Sequence, residues 1–465
     1  MPVNSFEHYP MSWKPEKIRL SAPLYRSLAG CLEEDIAAGI LAPNTKLPPQ
    51  RELADYLDIN LSTVTRAFKL CELKGLLYAS IGRGTFVSSS SHVSSTIIEE
   101  DPAGHYIEMG IIKPYYQFNG MVADIAKEVV SRSLSDKLFE YAYPLGTPSQ
   151  KQTAINWLSR YDIKAEPDNL AVASGAQNAL TVALLALFKP GDKIATDPYT
   201  YPNFKSLANL LRLQLIPVMT DDKGMMPDAL DNLYKLSHMD GLYLMPSCTN
   251  PTGTILDNER RRELAAVIRK HKLLLIEDDN YTFLSDSGLT PLFNLIPRQG
   301  VYISSISKSL CAGLRIAYLT YPEQLRTVME NSIFSVNVKT SSLNSEIAAE
   351  LIRSGTADEI LRKKQELQLE RNNVYAGYFP ASNRSGNPLS LFRWLRLPEY
   401  WNGKEFELLA KRRGVQIYCS ERFAVGNLEH YPAIRIALSS PADTEELSSG
   451  LSVLRELIGN SPASN

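Results

Sequence analysis

A lysine and an aspartate of this sequence stand in settings that suit carbonyl chemistry. Lys308 lies between serines in SISKSLCAGLR, and a desolvated lysine amine can attack an aldehyde to form a Schiff base. Asp278, in IEDDNY, follows an apolar run, where a carboxylate could keep the ring nitrogen of a bound heterocycle protonated. Each also has an ordinary interpretation, because most lysines lie on the surface and acidic residues often follow strands.

Other polar clusters also begin where apolar runs end. Residues 174–177, Ser-Gly-Ala-Gln, open a helical pattern that could hold a phosphate or could be only a helix cap. Asn250, in NPTG, could donate to a ring oxygen or belong only to a turn. The remaining clusters are Asp197 with Tyr201, and Ser305 with Lys308. Because the carboxyl ends of parallel strands meet at one crevice, we expect these side chains to face one ligand.

The apolar runs that would position these clusters alternate with helical patterns. The candidate strands are 170–173, 193–195, 215–218, 241–245, 273–276, 301–304 and 315–319. Several are continuously apolar, which is typical of strands covered on both faces. The pattern predicts an α/β fold with a mostly parallel sheet. Residues from about 365 to 455, with LSLFRWLRL and AIRIAL, predict a smaller α+β C-terminal domain that closes over the sheet.

The N-terminal part of the chain predicts two helices followed by a hairpin. The first helix is 51–57, and after a turn at 58–60 that Asn60 can cap, apolar side chains recur at helical spacing at Val64, Ala67, Phe68 and Cys71. LLYASIGRGTFV then predicts two short strands joined by a Gly-Arg-Gly turn. This order is that of a winged helix-turn-helix, which we place at residues 12–87.

One face of the second helix carries side chains that could enter a major groove, namely Ser62 or Thr63, Arg66 and Lys69. Arg51 could reach a phosphate from the preceding helix. Arg83 lies in the wing between glycines that let the backbone approach DNA. An ordinary helical pair is the alternative, since six basic and four acidic residues from Lys46 to Val87 give a net charge of only +2.

Residues 88–105, SSSSHVSSTIIEEDPAGH, predict a flexible linker with a typical span of about 23 Å. A large domain would then occupy 106–460. The whole chain of 465 residues has a net charge of -2, so no overall positive field attracts nucleic acid and any DNA contact must be local. The length and the 44 % hydrophobic content exclude a small stapled module and a largely disordered chain.

Cysteine spacing and hydropathy bear on the compartment. The five scattered cysteines form no CxxC or Cys/His pattern, so we predict no metal site and expect a reducing environment. The sequence contains neither a signal-like N-terminus nor 18 consecutive uncharged apolar residues. We therefore expect a soluble cytoplasmic protein without membrane contact.

The N-terminal motif resembles a known DNA-binding family. The run LPPQRELADYLDINLSTVTRAFKLCELKGLLYASIGRGTFV is similar to the GntR-type winged helix at its LPS-RELA, TV-RA, G-L and GRGTFV positions. The resemblance implies double-stranded operator DNA as a partner, with phosphate and base contacts at Arg51, Thr63, Arg66 and the wing around Gly84. Leu61 departs from the family pattern, in which many members have an arginine that touches DNA, so the operator sequence stays open.

Residues from about 115 to 450 resemble the fold-type I, class I aminotransferases, which use pyridoxal 5'-phosphate. The resemblance rests on NPTG, on Asp278 with Tyr281, on S-x-S-K at 305–308, and on Arg315 seven residues after the lysine. It implies that Lys308 bears the internal aldimine, that Asp278 pairs with the pyridine nitrogen, and that Asn250 and Tyr281 hold the phenolic oxygen. The other implied cofactor-binding residues are Ser174, Gly175, Ala176, Ser305, Ser307, Arg315 and, from a partner subunit, Tyr141.

Two further roles follow from the same resemblance. Tyr201, in DPYTYP, is expected to stack on the cofactor ring, and Tyr199 is the competing candidate. Arg435, in AIRIAL, matches the residue that binds the α-carboxylate of an amino acid, a task that suits a bidentate guanidinium. The alternative for Arg435 is an interior salt bridge.

A GntR-type winged helix fused to an aminotransferase-like domain is the architecture of the MocR family of bacterial transcription regulators, which the chain resembles over nearly its whole length. The resemblance implies a homodimeric regulator that binds pyridoxal 5'-phosphate and an amine or amino acid effector as an aldimine. The alternatives are an aminotransferase with an accessory DNA-binding module and a domain that only dimerises the DNA-binding module. The identity of the effector, the direction of regulation and transaminase turnover stay open.

Overall fold

The computed structural model describes residues 11–16, 23–37, 40–41, 45–73, 76–80, 84–87, 106–133, 135–141, 143–284, 288–379, 387–426 and 431–459. Arg83 and the predicted linker at 88–105 lie outside the described residues. The chain divides into two compact units, residues 1–97 and 98–465, and each is described by itself.

The N-terminal unit is a winged helix-turn-helix, as predicted. Its elements are α1 (Leu24–Ala37), α2 (Gln50–Leu57), α3 (Leu61–Leu73), β1 (Leu77–Ser80) and β2 (Gly84–Val87). The two strands pair in antiparallel fashion to form the wing. Asp58 ends α2 in the left-handed conformation, and Asn60 Oδ1 accepts a hydrogen bond of 2.8 Å from Ser62 N. The tight turn and the cap therefore fix the angle at which α3 leaves α2.

The large unit is built on a seven-stranded sheet. Its strands, in spatial order, are β4 (Leu170–Ala173), β12 (Ala317–Thr320), β11 (Gly300–Ser305), β10 (Leu274–Asp278), β9 (Gly241–Leu244), β5 (Lys193–Thr196) and β6 (Gln214–Pro217). Only β12 runs antiparallel to its neighbours among these strands, so the mostly parallel α/β sheet is confirmed. The predicted strand at 315–319 begins at 317 instead, because Arg315 has φ +52°, a conformation outside the extended region of strands.

Helices cover both faces of this sheet. The helices described in the large unit, including those of its smaller layer, are α4 (Asn119–Ser131), α5 (Pro148–Ser159), α6 (Ala176–Leu187), α7 (Pro202–Leu210), α8 (Pro227–Leu236), α9 (Asn258–His271), α10 (Leu292–Leu295), α11 (Ile306–Ser309), α12 (Arg326–Asn337), α13 (Ser342–Arg353), α14 (Thr356–Tyr378), α15 (Gly403–Arg412) and α16 (Thr444–Gly459). Along β9, Leu242 packs into the apolar cluster on one face, and Tyr243 packs into the cluster on the other. Burial on both faces explains why the strands read as continuous apolar runs.

A second, smaller layer completes the unit. Strands β13 (Phe392–Arg396), β16 (Ala433–Ala437) and β15 (Tyr418–Cys419) form an antiparallel sheet that shares an apolar cluster with α14, α15 and α16. Strand β3 (Ile107–Glu108) pairs with β14 (Val415–Gln416), so the residues just after the predicted linker belong to this layer. A two-stranded ribbon of β7 (Thr220–Asp221) and β8 (Gly224–Met225) lies elsewhere in the large unit. No helix in the described ranges combines the length and hydropathy needed to cross a bilayer.

Two glycines offer a matched test of packing in the large unit. A Cβ on Gly241 would lie 2.4 Å from the Phe188 ring and 2.7 Å from the Leu274 carbonyl oxygen, whereas a Cβ on Gly377 in α14 would meet no atom within 4 Å. We expect Gly241→Ala to lower the free energy of unfolding by about 1 to 3 kcal/mol through overpacking. Gly377→Ala should raise it by about 0.5 to 1 kcal/mol, because alanine favours helix.

Urea unfolding of both variants, followed by far-ultraviolet circular dichroism, measures these changes. Equal midpoints for the two variants would contradict the packing described around Gly241.

Candidate functional site

Polar side chains from five strand ends meet at one edge of the main sheet. Strands β4, β5, β9, β10 and β11 run parallel, and each is followed by one of the predicted polar clusters. The carboxyl ends of such strands open into a common crevice. The crevice gathers Lys308, Asp278, Tyr281, Asn250, Tyr201, Arg315, Arg435, Ser305, Ser307 and residues 174–176.

Lys308 lies at the centre of this crevice on α11, a single helical turn. Ser305 Oγ caps the turn by accepting a hydrogen bond of 3.1 Å from Ser307 N. The Lys308 ammonium donates to the carbonyl oxygen of Ile112. Burial, together with the positive charges of Arg435, Lys364 and Arg315, lowers the pKa of Lys308 to about 7. The neutral amine, which is the nucleophilic form, is therefore well populated near neutral pH.

Asp278 ends β10 and is held by two side chains that the sequence did not single out. Tyr243 donates to Asp278 Oδ2 at 2.7 Å, and Asn280 Nδ2 donates to Oδ1 at 2.5 Å. Burial raises the pKa of Asp278 to about 7, against the opposing effect of these hydrogen bonds. Tyr243 is itself stacked on Phe204, with ring centroids 3.7 Å apart. The sequence did offer a sign of this role, because Tyr243 carries a hydroxyl group within the otherwise apolar run GLYLM.

The start of α6 and Arg315 form an anion cradle. Gly175 has φ +87°, a backbone conformation that favours glycine, and a Cβ there would lie 2.6 Å from Arg315 Nη2, so the guanidinium lies directly against this glycine. Arg315 Nη1 donates to Ser307 Oγ at 3.4 Å and forms no ion pair with any carboxylate of the described residues. The first N–H groups of α6, from Ala176 onward, add positive potential at the same place.

Side chains from α12 and the segment after it hold the outer side of this cradle. Ser174 Oγ accepts a hydrogen bond of 2.7 Å from Asn337 Nδ2 and donates to Thr340 Oγ1 at 3.2 Å. Neither partner of Ser174 was predicted, since both come from elements far away in sequence.

The two competing tyrosines lie in different surroundings. The hydroxyl of Tyr201 accepts from Asn203 Nδ2 at 3.1 Å, and burial together with the charge of Asp278 raises its pKa to about 12. Tyr199 instead packs against Trp394, with centroids 5.3 Å apart, in an apolar cluster with residues of the smaller layer. The geometry therefore favours Tyr201 as the ring that faces the crevice.

Arg435 is a buried cation at the side of the crevice formed by the smaller layer. It is only 2 % exposed, and its Nη1 donates to Asn250 Oδ1 at 2.7 Å while its Nη2 donates to the Gly110 carbonyl. Among the described residues it has no carboxylate partner, and its Nε has no hydrogen-bond partner. The interior salt bridge considered as an alternative is thus absent from this part of the chain. Burial lowers the pKa of Arg435 to about 10, so the guanidinium stays charged at neutral pH.

The two remaining predicted tyrosines differ in exposure. Tyr281 is buried, with its ring 5.6 Å from that of Phe392, and burial raises its pKa. Tyr141 is 84 % exposed and makes no hydrogen bond or ring contact within the described residues. The Lys339 ammonium donates to the carbonyl of the neighbouring Glu140. Tyr141 is therefore the one predicted cofactor residue that this chain does not bring into its own crevice.

The predicted DNA-binding residues that the structure describes lie on α2, α3 and β2 of the N-terminal unit. Ser62, Arg66 and Lys69 are exposed on α3, and Thr63 is half-buried beside them. Arg51 is exposed on α2, and Gly84 opens β2 with φ +113°.

Two contacts of these DNA-binding residues were not predicted from the sequence. The Arg66 guanidinium lies over the Tyr25 ring of α1, 4.3 Å from its centroid. A Cβ on Gly84 would lie 3.0 Å from Lys46 Cε, so the wing passes directly over this basic side chain. Lys46, which directly precedes LPPQ, is thus a basic residue beside the wing that the sequence-based prediction did not include.

The residues of the crevice fit pyridoxal 5'-phosphate. A half-buried amine with a lowered pKa, a buried carboxyl, and a guanidinium beside a glycine at the start of α6 match an aldehyde, a ring nitrogen and a phosphate. Residues 107–451 match the model of the family "Aminotransferase class I and II". Residues 24–87 match that of "Bacterial regulatory proteins, gntR family". Together these observations indicate pyridoxal 5'-phosphate as the cofactor and DNA as a partner.

Two relatives match this chain over most of its length, across both units. The uncharacterized HTH-type transcriptional regulator YdeF of Bacillus subtilis (strain 168) is 40 % identical over 98 % of this chain and 99 % of its own length. The uncharacterized HTH-type transcriptional regulator YdcR of Escherichia coli (strain K12) is 26 % identical over 86 % of this chain and 92 % of its own.

Solved structures share the fold of the large unit. A kynurenine aminotransferase of Pyrococcus horikoshii has a TM-score of 0.71 at 20 % identity, with 84 % of this chain and 98 % of that chain covered. An archaeal alanine:glyoxylate aminotransferase has a TM-score of 0.70 at 23 % identity, with 76 % and 91 % covered. The chain therefore belongs to the family in which a GntR-type winged helix is fused to an aminotransferase class I and II domain, the MocR architecture.

Proposed function

We propose that this transcription regulator senses an amine or amino acid through its cofactor domain and changes its binding to operator DNA in response. The observation that carries the proposal is Arg435, a buried guanidinium without a carboxylate partner among the described residues, in the same crevice as the Lys308 amine. An amino acid supplies a carboxylate for the first group and an amine for the second. A coupling of about 1 to 3 kcal/mol between ligand and DNA would change operator affinity about 5- to 150-fold.

In this proposal, each crevice residue has a defined task toward pyridoxal 5'-phosphate. The cofactor supplies an aldehyde that amines can attack and a ring that withdraws electrons. Lys308 would bind the aldehyde carbon, and Asp278 would accept a hydrogen bond from the ring nitrogen and keep that nitrogen protonated. Asn250 and Tyr281 would bind the phenolic oxygen. The phosphate is held by residues 174–176, Ser305, Ser307 and Arg315, and Tyr201 lies against the ring.

The contacts of Arg435 also suggest how ligand binding in the crevice would affect other parts of the chain. Arg435 belongs to β16 of the smaller layer but binds Asn250, which follows β9 of the main sheet. It also binds Gly110, close after the proposed linker at 88–105 that joins the DNA-binding domain (12–87) to the cofactor domain (106–460). A ligand carboxylate at Arg435 would compete with both contacts. Ligand binding would thereby act on closure of the smaller layer, about 365–455, and on the segment after the linker.

Exposed aromatic residues support a homodimer. Phe139, Tyr141 and Tyr143 are all exposed within five residues, a concentration of apolar surface typical of an interface. In the dimer that we propose, Tyr141 reaches the phosphate of the partner subunit. The dimer would act in the cytoplasm, where its operator DNA lies.

An aminotransferase that turns over is the second candidate function. The observation that favours it is the Lys308 pKa of about 7, because an amine of this pKa can accept and return a proton at the substrate carbon near neutral pH. Steady-state assays with a panel of amino donors and oxo acids separate the two functions. Multiple turnovers at ordinary rates, about 1 per second or faster, support the enzyme, whereas binding that stops after one exchange supports the sensor.

Lys308→Ala should abolish covalent attachment of the cofactor, because it removes the amine that directly follows β11 in the crevice. The measurement is the intact mass of the full-length protein after incubation with pyridoxal 5'-phosphate and borohydride reduction. Lys404→Ala, at an exposed lysine of α15, is the matched control and should gain one reduced cofactor like the parent protein. Stoichiometric labelling of Lys308→Ala would refute the assignment of this lysine.

Arg435→Met should remove the preference for ligands that carry a carboxylate. Charge-assisted hydrogen bonds contribute about 1.5 to 3 kcal/mol, so affinity for an amino acid should fall about 10- to 150-fold. Affinity for the amine that lacks this carboxylate should stay within about 2-fold. Spectral titration of the cofactor-loaded protein with such ligand pairs provides both values, and an unchanged preference would exclude Arg435 as the carboxylate site.

Arg66→Ala should weaken DNA binding by about 1 to 3 kcal/mol and leave the cofactor content unchanged. The DNA is a fragment that the parent protein selects from a random-sequence pool, and binding is measured at fixed salt because phosphate contacts are salt-dependent. Lys308→Ala is the reciprocal control, with unliganded DNA binding retained. Joint loss of DNA and cofactor binding in Arg66→Ala would indicate misfolding and contradict the assignment of the two functions to separate domains.

A further inference from the structure

A second buried lysine supports the turn that carries Lys308. Lys364, on α14, is 3 % exposed, and its ammonium donates to the carbonyl oxygens of Leu310 at 2.8 Å and of Lys308 at 3.2 Å. Within the described ranges it has no ion pair with a carboxylate. A lysine buried in this way is uncommon unless its charge has a use, because desolvation disfavours the ammonium form.

The two carbonyls that Lys364 binds have no helical partner of their own. Helix α11 spans one turn, and the N–H groups of Leu310 and Cys311 both donate to the carbonyl of Ile306. The carbonyls of Lys308 and Leu310 therefore lie beyond the hydrogen bonds of the helix, where the ends of helices leave acceptors unsatisfied. Ser305 caps the start of α11 and Lys364 caps its end, so both ends of the turn are fixed by side chains.

The charge of Lys364 also acts on Lys308. The charged groups that face the Lys308 amine are Arg435 of β16, Lys364 of α14 and Arg315 before β12, and all three are positive. Lys364 itself remains partly protonated near neutral pH, since burial lowers its pKa to about 8. A like charge nearby favours the neutral form of the Lys308 amine.

We propose that Lys364 is a positioning residue for Lys308, which it orients through the two carbonyls and keeps reactive through its charge. It acts through Lys308 and does not itself bind the cofactor. The inference deepens the proposed function and rests on Lys308 as the residue that binds the aldehyde.

The test is the rate at which the full-length chain, freed of cofactor, captures pyridoxal 5'-phosphate between about pH 6 and 9. Samples are quenched with borohydride at intervals, and mass spectrometry gives the labelled fraction. Lys364→Met leaves both carbonyls unpaired and removes the charge, so capture should slow about 10-fold, equal to about 1.4 kcal/mol, and the midpoint of the pH profile should move to higher pH. Lys364→Gln keeps an N–H donor for the carbonyls and should fold even if Lys364→Met does not. Because it also removes the charge, it should still move the midpoint of the pH profile to higher pH.

Lys363→Met is the matched control. Lys363 is the adjacent lysine of α14, and its ammonium binds Glu359 at 2.7 Å on the surface. Its capture rate and midpoint should equal those of the parent chain. Unshifted midpoints in both Lys364 variants would overturn the inference, and capture by Lys308→Ala in the same assay would instead overturn the proposed function beneath it.

Discussion

The removal of two cationic side chains from water in one crevice is the constraint on which the large unit depends. Lys308 and Arg435 have no carboxylate partner among the described residues, and burial is the main cause of the lowered pKa of each. For Lys308, a pKa of about 7 means that protonation is disfavoured by on the order of 5 kcal/mol relative to water. The hydrogen bonds that Arg435 donates to Asn250 and Gly110 must offset the desolvation of its guanidinium. Burial of these cations lowers the free energy of unfolding. A ligand with a carboxylate and an amine would restore part of it in the proposed function.

Helix α14 sets the distance between these two cations. Lys364 binds carbonyls next to Lys308, and seven residues later Arg371 donates to the carbonyls of Leu438 and Pro441, each at 2.8 Å, just beyond β16. Seven helical residues span about 10 Å, so one rigid element connects the aldehyde-binding end of the crevice to the strand of Arg435. The polar residues buried on this face, at 364, 368, 371 and 372, follow helical spacing.

The sequence predicts the ends of strands well. It predicts poorly which side chains from distant parts of the sequence contact each other. Strand β4 has the predicted bounds of 170–173, and the clusters after β4, β5, β9, β10 and β11 meet because parallel strands end at one edge. Helix α14 was less informative, since LRKKQELQLERNN has only three apolar residues and gives no sign that Lys364 is buried. Tyr243 and Asn337 escaped notice for a similar reason. Each is a single polar residue whose partner, Asp278 or Ser174, lies far away in the chain, and periodicity carries no information about such pairs.

In the proposed sensor, exchange of hydrogen-bond partners at Arg435 would distinguish an amino acid from an amine that lacks the carboxylate. An amine alone can reach Lys308 but leaves the bonds from Arg435 to Asn250 and Gly110 in place. A carboxylate replaces neutral acceptors with a charged one, and charge-assisted bonds are about twice as strong as neutral ones. Because Gly110 lies close after the proposed linker at 88–105, this exchange would act on the segment after the linker as well as on the crevice. An amino acid would then act on both Lys308 and Arg435, and its coupling to DNA would be stronger than that of an amine, which acts on Lys308 alone.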